Sequence, residues 1–259
     1  MTPLTEKSNR VAAAIKLQRP AGRRHAARFL AEGPNLVEAA LRRGLVEEVF
    51  VTEDAHARFA DLLAGAPAHE VTERAAKALS DTVTPVGMIA VCTIPEVSLA
   101  EVLDAPRPRL VAVAVETSDP GNAGTLIRLA DAMGADALIL AGDSVDPYNA
   151  KCLRASAGSI FGLPVVQATD TVELIAALRA AGLQVLATTL DGATPLPAVD
   201  LRVPTAWLLG SEAHGLASDI AAAADAQVTI PMRGSAESLN VAAAAAICLY
   251  QSTQALSGQ

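Results

Sequence analysis

The chain has 259 residues, 51% of them hydrophobic and 19% charged, which suffices for one large domain or two ordinary ones and excludes wholesale disorder. Aromatic residues make up only 3%, which argues against an RNA-recognition surface built on exposed aromatic rings. The formal net charge of −8 excludes a uniformly basic nucleic-acid-binding protein.

The charge is distributed unevenly along the chain. Residues 1–43 contain nine Lys and Arg residues and three acidic residues. The rest of the chain contains 11 Lys and Arg residues and 25 acidic residues. A basic arm on an acidic body can bind a polyanion locally, although a solvated arginine-rich helix face gives the same pattern. Both interpretations stay open, and the first makes RNA-contact candidates of Arg10, Lys16, Arg19, Arg23 and Arg24.

Neither a metal site nor a membrane segment is expected. The three cysteines have no metal-ligand spacing and cannot all pair, so we expect reduced thiols in a soluble, cytoplasmic protein. The N-terminus lacks the apolar core of a signal peptide, and no uninterrupted apolar stretch reaches the roughly 20 residues of a membrane helix.

Residues 1–95 are predicted to form a small α/β domain. The spacing of apolar residues predicts helices over residues 5–45, interrupted at Gly33-Pro34. The predicted elements that follow are strand 46–51, helix 55–64, strand 70–72, helix 73–80 and strand 87–93. Residues 96–109, which contain Pro106 and Pro108, are predicted to be a linker.

A second domain is predicted over residues 110–259. Residues 110–115 are continuously apolar, as in a strand covered on both faces, and strands alternate with helices from there onwards. The predicted strands are 110–115, 137–140, 164–166, 184–188, 206–209 and 226–230, and the predicted helices are 124–133, 149–157, 172–181 and 239–255. This alternation predicts a parallel sheet with helices on both faces.

Three polar clusters interrupt this alanine- and leucine-rich half of the chain. They lie at residues 122–128, 209–215 and 230–240, each after a strand-like run. Because loops at the carboxyl end of a parallel sheet lie side by side, the clusters are expected to form one site.

The first cluster, Asn122-Ala-Gly-Thr-Leu-Ile-Arg128, is a glycine-bearing turn into a helix. Such a turn can hold an anion, but the cluster lacks both the Gly-x-Gly-x-x-Gly pattern and the lysine of a P-loop. Arg128 has apolar neighbours, so it either contacts a substrate or forms an ion pair between domains or subunits.

The second cluster is Leu209-Gly-Ser-Glu-Ala-His-Gly215. Gly210, directly after a strand, permits a positive φ or a close backbone approach by a ligand. Glu212 has two possible roles: it accepts hydrogen bonds from a ribose or from an arginine, or it only stabilises the turn. His214 is either a catalytic base or an exposed residue without a role in the reaction.

In the third cluster, Ile230-Pro-Met232 offers apolar side chains and free backbone groups that suit an adenine ring. Ser238 is expected to cap the last helix, whereas Asn240 can direct its amide at a ligand.

Together the clusters resemble the three motifs of the SpoU/TrmH-type RNA ribose 2′-O-methyltransferases, members of the SPOUT class. The matching residues, in the family's order and with similar spacing, are Asn122 with Arg128, Gly210-x-Glu212-x-x-Gly215, and Ile-Pro-Met followed by Ser238-Leu-Asn240-Val. Residues 28–33 and 46–51 resemble the small L30e-like substrate-binding domain that many members carry.

The resemblance implies a deep trefoil knot in the second domain, an S-adenosylmethionine cofactor, no metal, and a homodimer with the site near the subunit interface. It implies catalytic roles for Arg128, Asn122, Glu212, Ser238 and Asn240. It implies cofactor contacts from Thr188, Leu209, Gly210, Glu212, Gly215, Ile230, Met232, Ser238 and Leu239. It also makes Arg154 a candidate contact to RNA phosphate.

The activity that the resemblance implies is S-adenosylmethionine-dependent ribose 2′-O-methylation of structured RNA, with 23S ribosomal RNA as the preferred substrate. Transfer RNA is the alternative substrate, and a non-catalytic RNA-binding or ribosome-assembly factor is the alternative class. A dinucleotide-binding Rossmann enzyme is excluded because the glycine fingerprint is missing. The modified nucleotide, and a housekeeping as against an antibiotic-resistance role, stay open.

Overall fold

The computed structural model describes residues 2–104, 107–211 and 214–258, which divide into two compact units. The first comprises the residues up to Glu96 together with Tyr148–Phe161, and the second comprises Val97–Pro147 and the residues from Gly162 onwards. The second unit is therefore interrupted in the sequence by residues 148–161, which belong to the first unit.

The first unit is built on a four-stranded sheet with the order β1-β4-β2-β3, in which β2 and β3 run parallel and the other pairs antiparallel. Its strands are β1 (Arg28–Glu32), β2 (Val46–Val51), β3 (Ala68–Glu70) and β4 (Met88–Thr93). Its helices are α1 (Asn9–Ile15), α2 (Pro20–Ala26), α3 (Pro34–Arg42), α4 (Glu53–Arg58), α5 (Ala60–Leu63), α6 (Glu73–Leu79) and, from the later segment, α9 (Ala150–Ser156). The predicted helix 55–64 is thus two helices that meet at Phe59.

Strand β1 corrects the prediction that residues 5–45 are helical apart from a break at Gly33-Pro34. Ala27 takes a left-handed conformation with φ 51° and ends α2, and β1 then pairs antiparallel with β4. Leu30 packs in one core with residues of α1 and α6. Its neighbour Phe29 points to the opposite face of the sheet, because successive side chains of a strand alternate.

A cluster of three rings joins residues 148–161 to the first unit. The ring centroid of Phe29 lies 4.8 Å from that of Tyr148 and 6.0 Å from that of Phe161, and Phe29 is fully buried. This packing explains why the helix predicted at 149–157, which the sequence assigns to the second domain, belongs to the first unit.

The second unit contains a parallel sheet whose seven strands, within the described residues, have the order β7-β6-β5-β10-β8-β11-β9. The strands are β5 (Leu110–Val115), β6 (Ala137–Ala141), β7 (Val165–Ala168), β8 (Gln184–Thr188), β9 (Thr194–Pro195), β10 (Thr205–Leu209) and β11 (Ala226–Thr229). The helices are α7 (Leu99–Asp104), α8 (Pro120–Ala132), α10 (Thr171–Ala180), α11 (Ser218–Ala223) and α12 (Val241–Ser257). The parallel sheet confirms the prediction from strand–helix alternation.

Helices cover both faces of this sheet. α7, α10 and α11 pack on one face in a core that includes Val102, Val113 and Leu174. α8 and α12 pack together on the other face, where the indole N–H of buried Trp207 donates to Ser252 Oγ at 2.9 Å. The predicted linker 96–109 differs from the structure, because burial of Val102 makes α7 part of the second unit.

The described residues contain no helix long and apolar enough to cross a bilayer and no group of three or more side chains placed to hold a metal ion. All three cysteines are buried, and none of them forms a disulfide. Burial raises the pKa of the Cys92 and Cys248 thiols to about 12, so both stay protonated at neutral pH.

Truncation of the Phe29 ring should loosen the first unit. Phe29→Ala removes a fully buried aromatic side chain, so we expect the free energy of unfolding to fall by about 3–5 kcal/mol. Urea denaturation followed by circular dichroism measures the loss. Phe29→Leu keeps most of the apolar volume and should cost about 1.5 kcal/mol or less. Equal stability of the alanine variant and the unchanged protein would contradict this role of the ring cluster.

Candidate active site

A cavity of about 630 Å³ opens in the second unit at the carboxyl end of β8, β10 and β11. Its walls are the segments that follow these strands, together with the residues that lead into α12. This volume lies within the range of about 300–1,000 Å³ that is typical of small-molecule and cofactor sites. The second and third clusters therefore meet at a ligand-sized cavity as predicted, whereas the first cluster, on α8, does not line it.

The cavity brings together most of the residues predicted to bind a cofactor, namely Thr188, Gly210, Gly215, Ile230, Met232, Ser238 and Leu239. Leu209 ends β10 with its side chain fully buried and is not among the residues that line the cavity, so its cofactor contact stays a prediction. Glu212 lies outside the described residues. His214, for which two roles stay open, lines the cavity and is exposed.

Leu190 and Asp191 also line the cavity, although they are not among the predicted site residues. They follow β8 in the run Thr188-Thr-Leu-Asp191-Gly. This run has the same form as the three clusters, polar residues directly after an apolar strand, so the sequence carries a signal for it.

The backbone of the site is packed most tightly at Gly210. A Cβ atom at this position would lie 2.3 Å from the carbonyl carbon of Gly215 and 2.4 Å from the amide nitrogen of Leu216. Ser211 and Gly215 exchange two backbone hydrogen bonds of 3.1 and 2.8 Å, which close the loop. Gly210 is therefore needed for a close approach rather than for a positive φ, and the approaching group is the chain itself.

The cavity wall also holds a hydroxyl that the described residues leave without a partner. Thr189 Oγ1 is buried and forms no hydrogen bond with them, whereas Thr188 Oγ1 donates to the carbonyl of Leu208 at 3.0 Å. A buried hydroxyl costs free energy until it finds a hydrogen-bond partner. Thr189 is thus placed to bond a polar group of a bound ligand.

Asn240, and not Ser238, caps the last helix. Asn240 Oδ1 accepts the backbone N–H of Ala242 at 2.9 Å, and α12 begins at Val241. Ser238 instead lies in the exposed segment that lines the cavity. The prediction is wrong because Ser and Asn are both favoured caps, and their spacing of two residues leaves the start of the helix undecided in the sequence.

Arg128 and Asn122 both lie on α8, but neither lines the cavity. Residues six apart on a helix are separated by about 9 Å along its axis and by about 120° around it. Arg128 is exposed and forms no ion pair within the described ranges. Asn122 is half-buried in the first turn, where its backbone N–H donates to the capping carboxylate of Asp119 at 2.9 Å.

The residues predicted to contact RNA differ in exposure. Lys16, Arg19 and Arg24 are exposed. Arg23 is only 3% exposed, and its Nη1 donates to the carbonyls of Leu17 and Gln18 at 3.0 Å each. Arg23 thus differs from the exposed candidates, because its guanidinium holds the turn between α1 and α2 together, and its contact with RNA stays a prediction.

Two further candidates are engaged by acidic side chains. Arg10 Nε lies 3.1 Å from Glu48 Oε2, and Arg154 forms an ion pair with Asp81. Any RNA phosphate at either arginine has to compete with these carboxylates.

Two protein families match this chain. Residues 109–250 match the SpoU rRNA Methylase family, and residues 8–90 match the MRM3-like substrate binding domain. The two matches fall on the two halves that the sequence separates at its proline-containing segment.

Similar proteins are found among curated sequences and solved structures. The 23S rRNA (guanosine(2553)-2′-O)-methyltransferase RlmP of Bacillus subtilis (strain 168) is 37% identical over 223 residues, which are 86% of this chain and 87% of that protein. An AdoMet-bound rRNA methyltransferase from Sinorhizobium meliloti superposes with a TM-score of 0.85, at 31% identity and 98% coverage of both chains. The SpoU methyltransferase AviRb from Streptomyces viridochromogenes, in complex with AdoMet, has a TM-score of 0.84 at 30% identity, covering 96% of this chain and 98% of its own.

One added methyl group at position 210 should open the bridge between Ser211 and Gly215. Gly210→Ala forces the two backbone segments apart at a cost of about 1–3 kcal/mol, so the Ser211 and Gly215 amides should exchange their hydrogens about tenfold faster or more. Amide hydrogen exchange followed by NMR measures both sites. Gly234→Ala is the matched control, because a Cβ there meets nothing within 4 Å. Unchanged exchange in Gly210→Ala would contradict the close approach.

Proposed function

This chain belongs to the SpoU rRNA methylase family, and we propose that it transfers a methyl group from S-adenosylmethionine to a ribose 2′-hydroxyl of 23S ribosomal RNA. The observation that carries the proposal is the cavity at the carboxyl end of β8, β10 and β11, because residues of the second and third family motifs line it together. The 23S substrate is supported by RlmP, which the chain matches over most of both lengths.

The cavity fits S-adenosylmethionine in size and chemistry. Ile230, Met232 and Leu239 give apolar surface for the adenine ring, and Thr189 Oγ1 is a buried hydroxyl ready for a polar group. The absence of a side chain at Gly210 lets the cavity wall be formed by backbone. The cofactor, when bound, supplies an electrophilic methyl group on a positively charged sulfur.

The protein must align the ribose hydroxyl and assist the loss of its proton, because a hydroxyl is a weak nucleophile at neutral pH. Arginine is a poor base, since its pKa exceeds about 12. Arg128 would therefore orient the ribose and stabilise the negative charge that develops on the 2′-oxygen. Asn122, Glu212, Ser238 and Asn240 would position the ribose beside it.

The proposed site is completed in a homodimer. Arg128 does not line the cavity of its own chain, and it lies on α8, which packs beside α12. α12 exposes two apolar side chains three residues apart, Ile247 at 36% and Tyr250 at 50%, and residues at this spacing share one face of a helix. An apolar face next to the helix that carries Arg128 supports a subunit interface that presents this arginine to the partner's cavity.

The two units would divide the work. The first unit, in which residues 8–90 match a substrate-binding domain, would be the L30e-like module that holds RNA through exposed Lys16, Arg19 and Arg24. The second unit would be the methyltransferase domain with the family's trefoil knot. Support for the knot is the match of residues 109–250 to the family and the parallel sheet in which β10 lies between β5 and β8. A ribosomal substrate supports a cytoplasmic location.

Mapping of 2′-O-methyl groups in ribosomal and transfer RNA, from cells with and without the protein, tests the function. We expect one 23S rRNA position to lose its methyl group and to regain it when the unchanged protein is supplied. Arg128→Lys should methylate about a hundredfold more slowly or worse, because it loses a group that stabilises the reacting oxygen. Its affinity for S-adenosylmethionine should be normal, since Arg128 would face the ribose rather than the cofactor. Methylation lost from transfer RNA instead would overturn the substrate, and normal turnover of Arg128→Lys would overturn the role of the arginine.

Thr189→Val tests the cofactor contact with a side chain of nearly the same shape. It removes the buried hydroxyl, so S-adenosylmethionine should bind about five- to tenfold more weakly in isothermal titration calorimetry. Thr189→Ser keeps the hydroxyl and should bind as the unchanged protein does. Equal affinities of the valine and serine variants would show that Thr189 does not bond the cofactor.

A further inference from the structure

The first unit contains a small cavity of about 80 Å³, which has room for two or three water molecules or for the edge of one nucleobase. Three buried leucines, Leu17, Leu30 and Leu79, give it an apolar lining. Its polar lining groups come from different elements of the unit, and they are Gln18, Arg23, Glu32, Asp81, Tyr148 and Asn149.

Glu32 presents a fixed hydrogen-bond acceptor to this cavity. Its Oε1 accepts hydrogen bonds from Ser80 Oγ at 2.6 Å and from Thr82 Oγ1 at 3.0 Å. No donor within the described ranges bonds its Oε2. Asp81, the other carboxylate in the lining, is engaged by Arg154. Glu32 Oε2 is thus the carboxylate oxygen that is held in place and available.

Asn149 supplies a donor on the same cavity. Its Oδ1 accepts the backbone N–H of Lys151 at 2.9 Å, which assigns the remaining amide NH₂ as a donor. Arg23 adds a guanidinium that is only 3% exposed. The cavity therefore combines one carboxylate acceptor with neighbouring donors.

Tyr148 adds an aromatic ring to the lining, held against Phe29 at 4.8 Å between centroids. Unpaired RNA bases are recognised by stacking on such rings together with hydrogen bonds to their Watson–Crick edges. An apolar lining, an aromatic ring, a fixed acceptor and an adjacent donor are the groups that this mode of recognition needs.

We propose that this cavity binds the edge of one unpaired nucleobase in the RNA substrate, with Glu32 Oε2 accepting from the exocyclic amino group and the Asn149 amide donating to the adjacent ring nitrogen. Cytosine and adenine have this arrangement of an amino group beside an acceptor nitrogen. On the Watson–Crick edge, uracil would place a carbonyl oxygen against the carboxylate, and guanine would place its N1–H donor against the amide donor, so both are rejected. The inference rests on the proposed function, since the base belongs to the RNA that the second unit methylates.

A substitution that exchanges acceptor for donor tests this recognition directly. Glu32→Gln can still accept from Ser80 and Thr82 through its carbonyl oxygen, but it offers an NH₂ in place of Oε2. The probe is a library of RNA hairpins with randomised eight-nucleotide loops, sequenced after capture by the full-length protein. The unchanged protein should enrich cytosine or adenine at one loop position by about tenfold, and Glu32→Gln, whose NH₂ would face the exocyclic amino group, should lose this enrichment.

Two further variants keep the test decisive. Glu38→Gln removes a partly exposed carboxylate of the same unit and should keep the preference of the unchanged protein. Asn149→Asp retains a good helix cap while it replaces the donor by an acceptor, and it should abolish the preference. Absence of any positional preference, or one preference shared by the unchanged protein and Glu32→Gln, would overturn the proposal.

Methylation of 23S rRNA by the same proteins separates this inference from the proposed function. Methylation by the unchanged protein without a base preference in the library overturns the base-binding cavity alone. Failure of the unchanged protein to methylate overturns the proposed function, whatever the library shows.

Discussion

The backbone of Gly210 is packed against that of Gly215 and Leu216 so closely that no side chain fits between them. Because Gly210 directly follows β10, the central strand of the parallel sheet, this contact fixes the loop to the sheet itself. Trp207 on the same strand donates to Ser252 on α12, the helix that Asn240 caps. The loop after β10 and the segment before α12 both line the large cavity, so one strand positions both of them.

Six of the seven described strands of the second unit, and the cavity, could be predicted because their signal is local, whereas the two-residue strand β9 carries no such signal. The predicted strands are mostly apolar runs, and parallel strands bring the polar residues that follow them to one edge of the sheet. Thr188, Gly210 and Ile230 accordingly line one cavity. The residue pattern alone left Arg128 open between substrate contact and ion pair. The methyltransferase reaction was inferred from the family resemblance, which the match of residues 109–250 confirms.

The features that could not be predicted depend on residues far apart in the sequence. β1 has five residues, too few to show a period, and it is a strand because β4 pairs with it. Arg23 and Arg154 are ordinary basic residues in the sequence. The fold buries one against backbone carbonyls and pairs the other with Asp81, 73 residues earlier. Charge counts in the basic arm therefore overestimate the cations that are available to RNA.

The segment from Tyr148 to Phe161 also sets the order in which the protein can be completed during synthesis. Domains usually finish folding one after another as the chain leaves the ribosome, with the N-terminal one first. Here the ring of Phe29 stays uncovered until Tyr148 and Phe161 have been made, after β5, α8 and β6 of the second unit have already emerged. The proposed RNA-binding unit is thus finished only when part of the methyltransferase unit exists, and an interrupted translation product that ends before Tyr148 cannot present it complete.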